Sequence, residues 1–234
     1  MVRRTKEQAL ATRTALLDAA EHLFHAQGVS RTTLQDIALA AGVTRGAVYW
    51  HFADKGALFN AMLERVLLPL EEADARFVPA ASGPPPLEGL QQHLIEVFER
   101  ALDNDQARRV YDIVLHKMEY VGEMDVVRAR LQQARAGHVA LIEHAMALAG
   151  VAPQHLRAQA LGLHAVISGL FEAWLLEGET FDLLPSARQA IGTYLLGVKR
   201  NCRTEPASGG CRRRRCAAHR PVVLGQVPSR HAPG

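Results

Sequence analysis

Up to residue 200 the apolar residues of this chain recur every three or four positions, and nowhere do they alternate as they would along a strand. Leu16, Ala20, Leu23 and Phe24 make one stripe over residues 10–27, which Gly28 ends where a helix favours glycine. A short second helix is predicted after Thr33. The threonine caps it, Asp36 stands three residues on as capping-box partner, and Leu34, Ile37, Ala38 and Ala41 give helical spacing up to Gly42. Thr44 caps a third helix over residues 45–52, whose inward face needs only Val48 and Phe52. Asp54 caps a fourth through Leu58, Met62, Val66 and Leu70, with a kink expected at Pro69. Residues 79–86, PAASGPPP, read as a loop. Helices then follow over 87–103, 107–121 and 126–149, the last ended by Gly150 and Pro153.

Two more helices carry a tighter pattern. Leu156, Ala160, Leu163, Ile167, Leu170 and Trp174 are spaced four, three, four, three, four, and Ala187, Ile191, Tyr194 and Val198 continue in that manner. Such spacing marks a seam between helices, and Gly162, Gly169, Gly192 and Gly197 permit close approach. The pattern fits a seam within one chain as well as one between two chains. The fold class is all-α: a three-helix helix-turn-helix domain followed by a larger helical domain.

The outward face of the third helix offers Arg45, Ala47, Tyr49, Trp50 and His51. Folding gives no reason for an aromatic-rich outward face. A nucleic-acid groove does, with Tyr49 and His51 reaching phosphates, Arg45 reading base edges and the Ala47 methyl meeting a thymine methyl. The run Thr33, Ile37-Ala38, Ala41-Gly42-Val43-Thr44, Gly46, Tyr49, His51-Phe52, Lys55 and Leu58 resembles the signature of the tetracycline-repressor (TetR) family. The likeness extends back through Ala19-Ala20, Phe24 and Gly28-Val29, and MVRRTKEQALATR and VTRGAVYWHF resemble more narrowly the repressors of multidrug efflux pumps. Specific resemblance covers residues 1 to about 70. It implies that Thr33, Thr44, Tyr49, His51 and Lys55 contact phosphates or anchor the domain. Gly46 and Trp50 belong to the same DNA-binding set, Trp50 either covering the backbone or packing on the first helix.

Charge divides the chain. Residues 1–60 hold seven Lys/Arg against five Asp/Glu, residues 61–200 thirteen against eighteen, and residues 201–234 seven arginines against Glu205. The DNA-facing end is thus mildly basic, the middle acidic and the tail strongly basic, so the middle is not expected to lie on nucleic acid. The expected organisation is a basic arm over 1–9, the helix-turn-helix domain over 10–56, an effector and dimerisation domain over 57–200, and a disordered basic tail over 201–234. The tail contains all three cysteines, Cys202, Cys211 and Cys216, with His219 nearby, but four consecutive arginines oppose a bound cation there. A core free of cysteine fits the cytoplasm. No signal peptide is expected, and the run Leu161–Leu176 is read as too polar for a membrane span. None of the eleven histidines has Glu three residues before it, as a helical di-iron site needs, and no HExxH, GxSxG or phosphate-binding glycine loop occurs. No metal, cofactor or enzymatic activity is expected.

The family resemblance implies a homodimeric repressor that binds double-stranded operator DNA with an inverted repeat and is released by a small hydrophobic effector, controlling a multidrug efflux operon. The alternatives are an architectural DNA binder without effector and a helical enzyme. On the dimer reading, the seam residues Leu156, Ala160, Leu163, Leu170, Trp174, Ile191, Tyr194 and Val198 join two subunits. The effector pocket draws its apolar side from Val66, Leu67 and Leu70, and from Leu90, Leu94 and Val97. Tyr111, Leu115, Ile142 and Ile167 close it, with His93, His138 and His164 as polar handles. The same stripes would equally fill a plain core.

Overall fold

The computed structural model describes residues 6–77 and 84–204. Most of the expected arm (1–5), the first five residues of the expected loop (79–83) and the tail from residue 205, with Cys211, Cys216 and His219, lie outside the described residues. Among those described there are nine α-helices, one 3-10 turn and no strand.

α1 (Lys6–Gln27) starts inside the segment expected as an arm and ends at Gly28, whose φ of 85° suits a residue without Cβ. α2 (Leu34–Ala40) opens on the expected capping box: Asp36 N donates to Thr33 Oγ1 and Thr33 N to Asp36 Oδ2. Thr44 and Asp54 likewise cap α3 (Arg45–His51) and α4 (Lys55–Arg76), and α4 continues through Pro69. α5 (Pro86–Leu102) starts on a proline, and Asn104 caps α6 (Asp105–His116). α6 stops five residues before the expected end at 121. The carbonyl of Lys117 has left the helix to accept from Val29 N at 3.1 Å, a tertiary bond that no local pattern announces. A 3-10 turn (Gly122–Met124) leads into α7 (Asp125–Leu148), followed by α8 (Pro153–Leu176) and α9 (Leu183–Thr204). α9 thus carries the chain four residues past 200, where the tail was expected to begin.

Two apolar cores result. The first joins Leu16, Phe24, Ile37, Val48, Phe52, Leu58 and Phe59 of the first four helices to Val110, Ile113 and Val114 of α6 and Val127 of α7. Packing therefore runs without a break across residues 56 and 57. The second joins α5, α7, α8 and α9 through Leu90, Leu94, Phe98, Ile142, Leu163, Trp174 and Ile191.

Polar bonds tie α1 to α6. Glu21, buried on α1, accepts from Arg109 Nε at 2.7 Å and Gln106 Nε2 at 2.6 Å. Asp112 meets Lys117 Nζ at 2.6 Å, His116 Nδ1 at 2.9 Å and His25 Nε2 at 3.2 Å, while Lys117 Nζ also donates to the His25 carbonyl. A carboxylate as enclosed as Glu21 is costly unless paired, so these bonds hold α6 against α1 in one register.

Candidate DNA-binding and effector sites

α3 is anchored by Val48, fully buried, and by Phe52, over whose ring the Arg13 guanidinium lies at 5.2 Å. The rest of the helix faces outward. Thr33, Thr44, Arg45 and Gly46 are exposed, Ala47 and His51 half-buried, and Tyr49 and Trp50 retain 48% and 70% of their surface. Arg45 Nη2 donates to the Tyr49 hydroxyl at 3.1 Å, folding the guanidinium over that ring. The Trp50 ring meets His51 edge-on with centroids 4.5 Å apart. On α2, Leu39 keeps 77% of its surface beside the same motif, a feature the sequence pattern did not single out.

Lys55 differs from these. Its ammonium donates to the carbonyls of Val29 at 3.0 Å and Thr32 at 3.2 Å, with Glu123 Oε1 at 3.9 Å. Of the two roles the resemblance left open, this geometry is an anchor from the start of α4 to the loop before α2. Gly56, next to it, lies so close to the 3-10 turn that a Cβ would overlap the Glu123 carbonyl oxygen.

A cavity of about 270 Å³ opens between α4, α5, α6, α7 and α8. Its wall includes Leu67, Leu70, Val97, Tyr111, Leu115, His138, His164 and Ile167 from the expected set. Val66, Leu90, Leu94 and Ile142 are elsewhere: Val66 is buried in the first core and the other three in the second. His93 stands behind the wall, stacked on Phe77 with centroids 4.6 Å apart. Sequence reasoning missed Glu71, Asp74, Phe98, Ala101, Leu131, Ala134, Arg135, Ser168 and Phe171. Several were within reach of it. Asp74 follows Leu67 and Leu70 on the same face of α4, Phe98 follows Leu94, and Phe171 follows Ile167.

The polar part of the wall is organised around Asp74. Its Oδ1 accepts from His93 Nε2 at 2.7 Å and its Oδ2 from His138 Nδ1 at 3.2 Å. A carboxylate only accepts, so each facing nitrogen carries its proton. Burial works to raise the Asp74 pKa, but the bonds from His138 and His93 outweigh it and hold the carboxyl at about 2. The His164 ring lies 5.4 Å from that of His138, its Nε2 bonded to Ser168 Oγ at 3.3 Å and its Nδ1 enclosed without a partner. Burial first, then His138 and Arg135, push His164 down to about 4, so it is neutral at physiological pH. Burial, with the Asp74 charge nearby, pushes the Tyr111 phenol up to about 12. Among the described residues no group of three or more His, Cys, Asp or Glu is arranged to hold a metal.

The seam on α8 and α9 packs within the chain, the second of the two arrangements its spacing allowed. Ala160, Leu163, Trp174, Ile191 and Val198 are buried in the second core, and Leu156, Leu170 and Tyr194 pack against it. The Tyr194 hydroxyl donates to the Gln159 carbonyl at 2.8 Å, over the space Gly162 leaves. The opposite faces remain uncovered: Ala158, Ala165, Gly169 and Leu176 on α8, and Thr193, Leu196 and Gly197 on α9. α8 reaches the length and mean apolarity of a membrane span, as core helices of soluble proteins also do, and this single helix does not overturn the expectation of no span.

Comparison with known proteins agrees with this architecture. The profile for bacterial regulatory proteins of the tetR family matches residues 16–62, and that for the C-terminal region of MAATS-type transcriptional repressors matches residues 85–199. The HTH-type transcriptional regulator AcrR of Shigella flexneri is 38% identical over 200 residues, which cover 83% of this chain and 93% of AcrR. The crystal structure of NalD, the secondary repressor of the MexAB-OprM multidrug efflux pump in Pseudomonas aeruginosa, superposes with a TM-score of 0.73 at 37% identity, covering 82% of this chain and 98% of that one. SmeT, the repressor of the Stenotrophomonas maltophilia multidrug efflux pump SmeDEF, is similar in its triclosan complex, with a TM-score of 0.69 at 31% identity over 80% of this chain and 91% of that one.

Proposed function

This chain belongs to the tetR family of bacterial regulatory proteins, and from that premise we propose that it is a cytoplasmic, homodimeric repressor of a multidrug efflux operon. It binds an inverted-repeat operator and is released by a small hydrophobic effector. The observation that carries the reading is that one helix serves both sites. α6 presents Tyr111 and Leu115 to the cavity, while its Arg109, Gln106 and Asp112 grip α1 of the DNA-binding domain. A ligand that reshapes the cavity wall therefore acts on the helix that orients the DNA-binding domain. It changes operator affinity to the extent that it binds one arrangement better than the other.

On this reading the exposed face of α3 enters the major groove, with Arg45 and Ala47 at the base edges and Thr33, Thr44, Tyr49 and His51 at the backbone. Arg45 leaves Tyr49 to do so. The uncovered apolar faces of α8 and α9 supply the dimer contact, which gives that surface of α8 a partner other than lipid. Triclosan, the ligand in the SmeT complex, is a first effector to try on this chain.

Footprinting on the DNA upstream of the chain's own gene tests the reading. Protection of an inverted repeat with half-site centres about 34–36 Å apart, or a multiple of that, is expected. Hydrophobic compounds should abolish the protection. Sequence-independent coating of the DNA, unaffected by any such compound, would instead identify an architectural binder.

A further inference from the structure

The outward face of α3 includes a contact between two side chains that groove binding sends to different places. Arg45 stands in the first turn and Tyr49 one turn on. Arg45 Nη2 donates to the Tyr49 hydroxyl at 3.1 Å, with the guanidinium 5.5 Å from the ring centroid. Both side chains are exposed, so the pair is not a by-product of core packing. Two local causes set it. The first turn of a helix has partial positive charge, which disfavours a cation, and α3 has no acid in that turn to offset it. Folding back over residue 49 carries the guanidinium away from that end and onto the face of a ring, where cations are attracted.

The phenol oxygen accepts from Arg45, which leaves its own O–H to donate to a phosphate. On arbitrary sequence the pair can therefore stay closed, with the phenol on the backbone and the guanidinium's charge close beside it. Reading a base is different. A guanidinium that takes both O6 and N7 of a guanine points at the groove floor and has to leave the phenol. The closed pair thus belongs to sequence-independent binding, and the open pair to the operator.

We propose that Tyr49 sets the sequence discrimination of this protein by holding Arg45 off the bases. The preference for the correct base pair is then the Arg45–base contact less the Arg45–Tyr49 contact. Tyr49 is a positioning residue that acts through Arg45, besides its place at the backbone. This rests on the reading of α3 as the groove helix and deepens it.

Competition binding of the full chain to duplexes cut from the footprinted segment tests it. One duplex is the operator; the other has the base pair that Arg45 reads replaced in both half-sites. Arg45→Ala identifies that pair as the one whose replacement no longer matters. Tyr49→Phe keeps the ring and removes the hydroxyl. A pair of helical neighbours is worth about twofold or less on each α3, and two such helices act together, so the ratio of the two affinities should rise about two- to fivefold over the native protein's. Both affinities should fall, because each duplex loses the phenol's contact with its backbone. In an Arg45→Ala background, Tyr49→Phe should leave the ratio where it was. A role of Tyr49 confined to the backbone or to folding lowers both affinities evenly and leaves the ratio unmoved, and that result overturns the proposal. So does a falling ratio, which would make the hydroxyl a guide towards the bases, or a rise that persists in the Arg45→Ala background. If the variant binds too weakly for a ratio, lower salt raises both affinities and recovers it. Failure of the groove reading is a separate result: Arg45→Ala then alters no base preference, whatever Tyr49→Phe does.

Discussion

His164 gives the native state a defined pH dependence. In the unfolded chain its imidazole titrates at the ordinary 6.5, whereas burial, His138 and Arg135 hold it near 4 in the native protein. Between those values the unfolded state binds the proton and the native state does not, so stability is fully present above 6.5 and falls as pH drops towards 4. With the ring only half enclosed, the loss is about 1–2 kcal/mol. Asp74 follows the same sign lower down, between its ordinary 3.8 and about 2. Denaturant unfolding of the native protein and His164→Gln across the range down to 4 should show a shallower decline in the variant; identical slopes would mean the ring is not held neutral. Lys55 supplies a second test at this scale. Because its ammonium bonds to the Val29 and Thr32 carbonyls, Lys55→Met should lower stability by about 1–3 kcal/mol and leave the salt slope of DNA binding unchanged. Arg45→Ala should do the reverse: unchanged stability, with a loss of about 1–3 kcal/mol in operator binding confined to one base position. A flattened salt slope in Lys55→Met would return that residue to the phosphate backbone.

Among the helices, what was legible in the sequence is what short-range chemistry decides. Thr33, Thr44 and Asp54 each sit three residues before the backbone N–H they cap, so the starts of α2, α3 and α4 could be read directly. The end of α6 could not, because the Lys117 carbonyl answers to Val29 on a distant loop. The seam on α8 and α9 was legible as a seam, but spacing fixes only the geometry of packing and not which chain provides the second helix. Half of the cavity could be read for a similar reason. Stripes gave the wall on α4 and α6, but Leu90 and Leu94, two turns and one turn before Val97 and Phe98, face the core instead. The seam's assignment to one chain carries a prediction. Gly162→Val should drive a side chain into Tyr194 and destabilise each protomer. Ala165→Glu, on the uncovered face of α8, should leave the melting of the protomer's core intact and yield monomers in sedimentation. Monomers from Gly162→Val with unchanged dimers from Ala165→Glu would move the subunit contact back to the seam.

For the whole molecule, the coupling between cavity and operator must be reciprocal. If an effector weakens operator binding by some factor, the operator weakens effector binding by the same factor, about 5–150-fold for typical couplings. Calorimetric titration of an effector into free protein and into the operator complex should therefore give unequal affinities, in the ratio found by titrating operator with and without effector. The structure also suggests where that ratio can be altered. Glu21 is buried on α1, away from the cavity wall and the exposed face of α3, and its bonds to Arg109 and Gln106 help keep α6 in register with the DNA-binding domain. Replacing Arg109 alone would strand a buried charge and destabilise the fold. The paired change Glu21→Gln with Arg109→Gln removes both charges and keeps side chains able to hydrogen-bond. Such a protein should bind operator and effector separately with nearly native affinities, because neither site has lost a contact. The effector should then shift operator affinity by a smaller factor, and the operator should shift effector affinity by that same smaller factor. An undiminished factor would mean that the signal travels along α4 without passing through the α1–α6 junction. Equal effector affinities for free and operator-bound native protein would leave no coupling to transmit.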